Sequence, residues 1–221
     1  MTVLYHWSDN HGKFSHLLEY VERNGLPDIF VCTGDLLPNN WAVFSFTKEH
    51  EAEWQKKWFM RHGEALKDVV QDRPLLYVLG NHDFAHMQPL LEAHCIDAVQ
   101  VPSWGVEYSG YKWAGFREIP WIGGFWNREC DDTTLSRITD EVVQANPDIL
   151  LTHSPPANIL DLCHDGDRAG IVPLRNALAG GSMNPRLHLF GHIHECGGRQ
   201  EEIEGTLFVN SATTIQRILL D

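Results

Sequence analysis

The chain has 221 residues and uses cysteine sparingly. There are five, Cys32, Cys95, Cys130, Cys163 and Cys196, an odd count with no Cys-x-x-Cys among them. That argues against a zinc knot and against a disulfide framework, and leaves free, mostly buried thiols in a reducing cytosol as the expectation. Positive charge is scarce as well. Lys and Arg number 17 against 30 Asp and Glu, for a formal net charge of −13, and no basic cluster appears. Sequence-independent binding to a nucleic-acid backbone needs clustered cations, so nucleic acid is set aside as a partner. No apolar run is long enough to span a membrane, and an early strand leaves no room for a signal peptide, so the expected location is the cytoplasm. Several familiar chemistries lack their parts: there is no Gly-x-x-x-x-Gly-Lys loop, no Gly-x-Ser-x-Gly elbow and no His-Glu-x-x-His.

What is present is the composition of a globular protein, 43% hydrophobic and 21% charged, with no linker or compositional break. One domain over residues 1–221 is expected. Short apolar runs bounded by turn residues predict strands at 3–7, 28–32, 75–79, 148–152 and 187–190. Helical spacing predicts helices at 13–23, 49–70, 132–145 and 172–179. The opening strand, polar loop, helix and strand read as a βαβ unit with a parallel sheet. Residues 98–101, 105–108 and 111–116 suggest an antiparallel portion, and 200–204 with 206–210 a hairpin about Gly205. The helix at 49–70 is expected to cover the sheet, with a lid over the site as the competing reading. His6 and His188 fall inside strands and are expected to be satisfied core residues. His16, His50, His62, His86, His94 and His164 are expected to face solvent or sit on helices.

The organising stretch is Gly80-Asn81-His82-Asp83, directly after the apolar run Leu75-Leu76-Tyr77-Val78-Leu79. Alone it is an ordinary turn. Four other apolar runs end in matching cargo: Asp9 and His11, Asp35, His153, and His192 with His194. Polar groups off the ends of buried strands point into the crevice where α/β folds place ligands. Carboxylate, amide oxygen and imidazole make a borderline-hard donor set, suited to Mn, Fe, Zn, Co or Ni better than to Ca. The set is too large for one open catalytic ion. Two divalent ions with one bridging carboxylate would use it.

The blocks Asp9-x-His11, Gly34-Asp35, Gly80-Asn81-His82-Asp83, Thr152-His153 and Gly191-His192-x-His194 resemble, in order, those of the calcineurin-like metallophosphoesterases. The resemblance implies an α/β fold, a four-layer α/β/β/α sandwich of two mixed sheets flanked by helices. It implies that Asp9, His11 and His194 hold the first metal, that Asn81, His153 and His192 hold the second, and that Asp35 bridges them. His82 would be the catalytic histidine outside the ligand set, touching substrate together with Asn81. A narrower likeness covers Thr152-His153-Ser154-Pro155-Pro156 and the run from Pro185 to Glu195. That part is similar to the metallophosphoesterase-domain proteins first described from brain, associated with cyclic nucleotide phosphodiesters. The Ser/Thr protein phosphatase branch fits less well, since Leu36-Leu37-Pro38 and Asp83 stand where it carries Asp-Arg-Gly and Glu.

The expected activity is hydrolysis of a small phosphodiester by a metal-bound hydroxide, with His82 protonating the leaving oxygen. The alternatives are a phosphomonoesterase and, in a different class, a protein-binding scaffold on the same fold. Trp41 is a candidate for stacking a base, and Trp121 and Trp126 are candidates for a stacking wall. Arg117 and Arg168 are candidates for phosphate contact, with a surface salt bridge as the ordinary alternative.

Overall fold

The computed structural model describes residues 1–40 and 47–221. Its first sheet places β1 (Thr2–Trp7), β2 (Ile29–Cys32), β3 (Leu75–Tyr77) and β4 (Ala98–Gln100) side by side in parallel. Each of these strands from β1 to β3 is buried on both faces at its end, which is why their sequences read as near-continuous apolar runs. The outer edge of β1 pairs antiparallel with β13 (Ile215–Leu220). The second sheet has β5 (Val106–Tyr108), β6 (Tyr111–Phe116), β9 (Ile149–Thr152), β10 (Leu187–Phe190), β11 (Gln200–Ile203) and β12 (Thr206–Asn210), in the order β11-β12-β10-β9-β6-β5. A two-stranded ribbon, β7 (Ile119–Pro120) with β8 (Glu129–Cys130), closes a loop between them in sequence.

Alternation along the strands sorts the apolar residues into three cores. Leu4, Ile29, Val31, Leu76, Trp113, Ile149, Leu151 and Leu189 pack between the two sheets. Tyr5, Trp7, Phe30 and Tyr77 face the other way, onto α1 (Ser15–Asn24), α2 (Lys48–His62), α3 (Glu64–Val70) and α4 (Gln88–Ala93). Ala114, Leu150 and Phe190 point out to α5 (Asp132–Ala145) and α6 (Val172–Ala179). Two mixed sheets flanked by helices is the architecture the resemblance implied.

Three expectations need correction, and one strand, β13, was not foreseen. The helix at 49–70 is two helices, α2 and α3, parted at Gly63. A Cβ at Gly63 would lie 2.6 Å from the His94 ring, which bonds the Phe59 carbonyl through Nε2 at 3.1 Å. The segment at 98–101 is β4, parallel in the first sheet, so antiparallel pairing in that region is confined to β5 and β6. β13 escaped the pattern because its apolar and polar residues, Ile-Gln-Arg-Ile-Leu-Leu, do not alternate cleanly. All five cysteines are free, but only Cys32 and Cys196 are buried. His6 and His188 are both buried in the core, but only His6 is satisfied at both nitrogens. His6 bonds Thr33 Oγ1 at 2.9 Å and Ser211 Oγ at 2.7 Å, while His188 bonds Thr152 Oγ1 at 2.9 Å and leaves Nδ1 without a partner. No helix among the described residues is long and apolar enough to cross a membrane.

Candidate metal centre

Because β1, β2 and β3 run parallel, and β9 and β10 likewise, their carboxyl ends gather at one edge of the sandwich. The two sheets are tied together there by main-chain bonds such as Ser8 N to Ser211 O at 3.2 Å. Two carboxylates lie at the centre. Asp9 and Asp35 are both buried, and both hold left-handed backbones, with φ of 57° and 52°. His11 and His192 do the same at 46° and 66°. Such conformations cost on the order of 1–3 kcal/mol each and persist where the surroundings over-determine them. The glycines before Asn81 and His192 are part of that enforcement. A Cβ at Gly80 would collide with Asp35 Oδ1, and one at Gly191 would collide with Asp9 Oδ2. With no side chain in the way, His82 N donates to Asp35 Oδ1 at 2.8 Å and His192 N donates to Asp9 Oδ2 at 2.9 Å.

Around these carboxylates the expected donors come together. Ligand atoms of Asp9, His11 and His194 lie within 4.8 Å of one another, as do those of Asp9, Asp35 and His153, and those of His11, Asp35 and His82. Asn81 Oδ1 is 2.9 Å from His153 Nε2, and the His153 and His192 rings are 4.9 Å apart. His153 Nδ1 faces the Thr33 carbonyl at 2.7 Å, which turns Nε2 toward Asp35 Oδ2 at 3.5 Å. Asp9, His11, Asp35, Asn81, His82, His153, His192 and His194 thus form one cluster, although 185 positions separate its ends.

Electrostatics at the cluster are those of buried negative charge short of cations. Burial works to raise the Asp35 carboxyl, but His153 and the neighbouring histidines outweigh it and hold it below the usual range. Burial likewise opposes charge on His153, yet Asp35 and Asp9 push that imidazole up to about 9. His194 is raised by its hydrogen bond to Asp9, while His192 is lowered to about 4 by burial and by the charge on His153. Among the described residues the ion-pair partners of Asp9 and Asp35 are histidines, with no Lys or Arg. Hard carboxylates with borderline imidazoles, gathered at this spacing, fit divalent transition ions.

The residues proposed for substrate contact are placed differently. Trp41 lies outside the described residues. Arg117 lines a separate cavity with Trp104, Arg137 and Glu141, and its Nε is 3.6 Å from Glu118. Arg168 pairs with the buried Asp161 at 2.6 Å. Trp126 packs on His82, ring centroids 4.1 Å apart, whereas Trp121 is exposed on the same loop. An open cleft of about 380 Å³ over the cluster is lined by Asp35, Asn81, His82, His192 and His194, with Ile122 and Trp126 contributing apolar surface and His164 and Glu195 polar surface.

Several participants were missed from sequence. His164 was read only as a surface histidine. Asn39 Oδ1 meets His82 Nδ1, and Asn39 Nδ2 donates to Glu51 Oε1 at 3.1 Å. Gln55 donates to the His82 carbonyl at 2.7 Å and accepts from Phe84 N at 2.8 Å. Glu51 and Gln55 are buried on α2 in line with Phe59. A polar i, i+4 pair on the apolar stripe of that helix was the available signal. α2 thus covers the sheet as expected, through Phe59 and Trp58, and its buried Gln55 also clamps the loop that carries His82.

A model of the family described as calcineurin-like phosphoesterase matches residues 2–196, a span that includes every residue of the cluster. Metallophosphoesterase domain-containing protein 1 of Homo sapiens is 33% identical over 109 residues, 48% of this chain and 32% of its own length. A UPF0046 protein of Caenorhabditis elegans is 41% identical over 54 residues, 24% of this chain and 13% of its own. The chain therefore spans less than half the length of these curated relatives. The crystal structure of TT1561 of Thermus thermophilus shares the fold, with a TM-score of 0.63 at 16% identity over 96% of this chain and 89% of that one.

Proposed function

This chain belongs to the calcineurin-like phosphoesterase family, and on that premise we propose that it hydrolyses a small phosphodiester at two divalent transition-metal ions, manganese first among them. In this reading Asp9, His11 and His194 hold one ion, Asn81, His153 and His192 hold the other, and Asp35 serves both. The observation that carries it is the pair of buried carboxylates ringed by histidines, with His82 beside them. Ions held there would lower the pKa of water and neutralise phosphoryl oxygens.

The chain's own residues supply orientation and a proton. Asn39 Nδ2 donates to Glu51 and to the His82 carbonyl, so its Oδ1 is the acceptor facing His82 Nδ1. Nδ1 then carries hydrogen, and Nε2 is the atom that exchanges a proton. Burial lowers the pKa of His82, and Asp35, whose Oδ2 is 3.9 Å from Nε2, opposes that fall. Asp35 beside Nε2 favours the imidazolium; in that form Nε2–H would pass its proton to the departing oxygen as the ester P–O bond breaks, leaving the neutral Nδ1–H ring, a contribution of about 10² to 10⁴ in rate.

The cleft favours a diester over a monoester. Among the described residues lining it there is no Lys or Arg, and a dianionic monoester would call for one more positive charge than a monoanionic diester does. The net charge of −13 also sets polynucleotides aside. Five free cysteines fit a reducing compartment such as the cytoplasm. The test is a screen of the full chain, loaded with manganese, against bis(p-nitrophenyl) phosphate, p-nitrophenyl phosphate and cyclic nucleotides. Faster turnover of diesters is expected. Preference for the monoester would overturn the diester reading, and silence toward every ester with two ions bound would favour the protein-binding scaffold.

A further inference from the structure

The geometry points to the loop between β7 and β8 as the wall that receives the leaving group, and to a substrate whose departing alcohol carries a flat, apolar ring. This rests on the phosphodiester reading above. The loop displays unusual cargo for a surface turn: Trp121, Ile122 and Phe125 are 64%, 52% and 45% exposed. Ile122 lines the cleft together with Trp126, and apolar groups gathered at a cleft mark a binding surface more often than chance exposure does. They are also held in place. The Glu129 carboxylate accepts from the main-chain N–H groups of Ile122, Gly124 and Trp126 at 2.9, 2.6 and 2.6 Å. Gly123 and Gly124, with φ of 142° and 81°, supply the turn that lets three N–H groups converge on one carboxylate.

The loop is registered to the catalytic histidine as well as to itself. Asn127 N donates to the Asn81 carbonyl at 3.2 Å, and Asn127 Nδ2 donates to the Asp83 carbonyl at 2.9 Å. The two residues therefore bracket His82 from the loop side. Trp126 packs on the His82 ring at an interplanar angle of 34°, and Lys48 Nζ donates to the Trp126 carbonyl at 2.6 Å. The lining outside the donor cluster is otherwise polar: His164 and Glu195, linked by His164 N to Glu195 Oε1 at 3.1 Å. It thus has an apolar part and a polar part, and the proton donor packs against the apolar one.

That asymmetry orients the ester. A water oxygen forms its bond to phosphorus and the P–O bond to the alcohol breaks, its electron pair staying on the alcohol oxygen. That oxygen takes the proton from His82 Nε2 and leaves as the free alcohol. The oxygen must lie beside His82, so the carbon skeleton attached to it lies against Trp126 and Ile122. The retained ester group is left to the polar part of the lining.

The test compares bis(p-nitrophenyl) phosphate with bis(2,2,2-trifluoroethyl) phosphate on the manganese-loaded full chain, the second followed by fluorine NMR. Wild type is set against Ile122→Ser and Glu129→Gln, so that intrinsic ester reactivity cancels in the ratio. Ile122 is solvent-facing, and matched melting curves and metal content check that each variant is folded and loaded. The ratio of kcat/KM for the aryl diester to that for the alkyl diester is expected to fall about tenfold in each variant, the scale of one apolar group in a pocket. A ratio unchanged in both variants, with both esters hydrolysed by wild type, would overturn the leaving-group wall and leave the phosphodiesterase intact. Failure of wild type to cleave either ester with two ions bound would remove the reading on which the wall rests.

Discussion

His188, in the body of β10, and His153, one residue past the end of β9, are wholly buried and lie on adjacent strands. Their electrostatics are opposite. Burial, with a small push from His6, drives His188 down to about 3, whereas His153 is held at about 9 against the same burial by Asp35 and Asp9. Within the strand bodies an imidazole meets hydroxyls, Thr152 for His188 and Thr33 with Ser211 for His6. At the strand ends it meets carboxylates. Burial alone favours the neutral imidazole, as at His188 and also at His192; at His153 two buried carboxylates outweigh it.

The difference can be broken most severely at its centre. Asp35→Ala removes the carboxylate that the proposed reading places between the two ions. It is expected to lower bound manganese below two ions per chain by elemental analysis, and to cut kcat/KM by more than the roughly 10⁴-fold upper end expected for loss of a general acid. His82→Ala should lower kcat by about 10² to 10⁴ while both ions stay bound, which separates proton donation from metal holding. A variant with full kcat would take His82 out of the mechanism. Asn39→Ala, which frees Nδ1 of His82 from its orienting amide, should cost about 10 to 100-fold in kcat, the scale of outer-sphere partners. Its metal content should be unchanged and its kcat against pH profile displaced.

The smallest expected effect lies in the strand bodies. An ordinary unfolded histidine titrates near 6.5, and His6 and His188 both fall to about 3 in the folded chain. Between those values the unfolded state binds protons that the folded state refuses. Stability is therefore unaffected by these groups above about pH 6.5, and is lost as pH falls toward 3, by at most about 1.4 kcal/mol per pH unit for each histidine. His188→Leu should leave activity and metal content at wild-type levels near neutral pH and flatten the fall of melting temperature between pH 6.5 and 4. Loss of manganese from that variant would mean that strand body and strand end are not distinct environments.

Much of the centre was legible because its information is local. Each donor follows a short apolar run, and a buried strand is recognisable from such a run. α5, α6 and β10 fall where spacing, Asp131 and the closing Gly180-Gly181 place them. What was not legible depends on distant partners. Nothing near Glu129 in sequence says that its carboxylate will close a loop, nor near Asn39 that it will meet a ring 43 positions away. β13 joins a sheet begun some two hundred residues earlier, and its half-exposed surface hides the period of a strand. The left-handed backbones at Asp9, His11, Asp35 and His192 carry only a weak signature, since Asp and His are enriched in that region without requiring it and glycine is the usual marker.

The central claim is that these strand ends grip two cations with Asp35 between them. Anomalous diffraction from a manganese-loaded crystal tests it directly. Two peaks about 3.5–4 Å apart, flanking the Asp35 carboxylate, are predicted; a single peak, or two peaks that Asp35 does not touch, would contradict it.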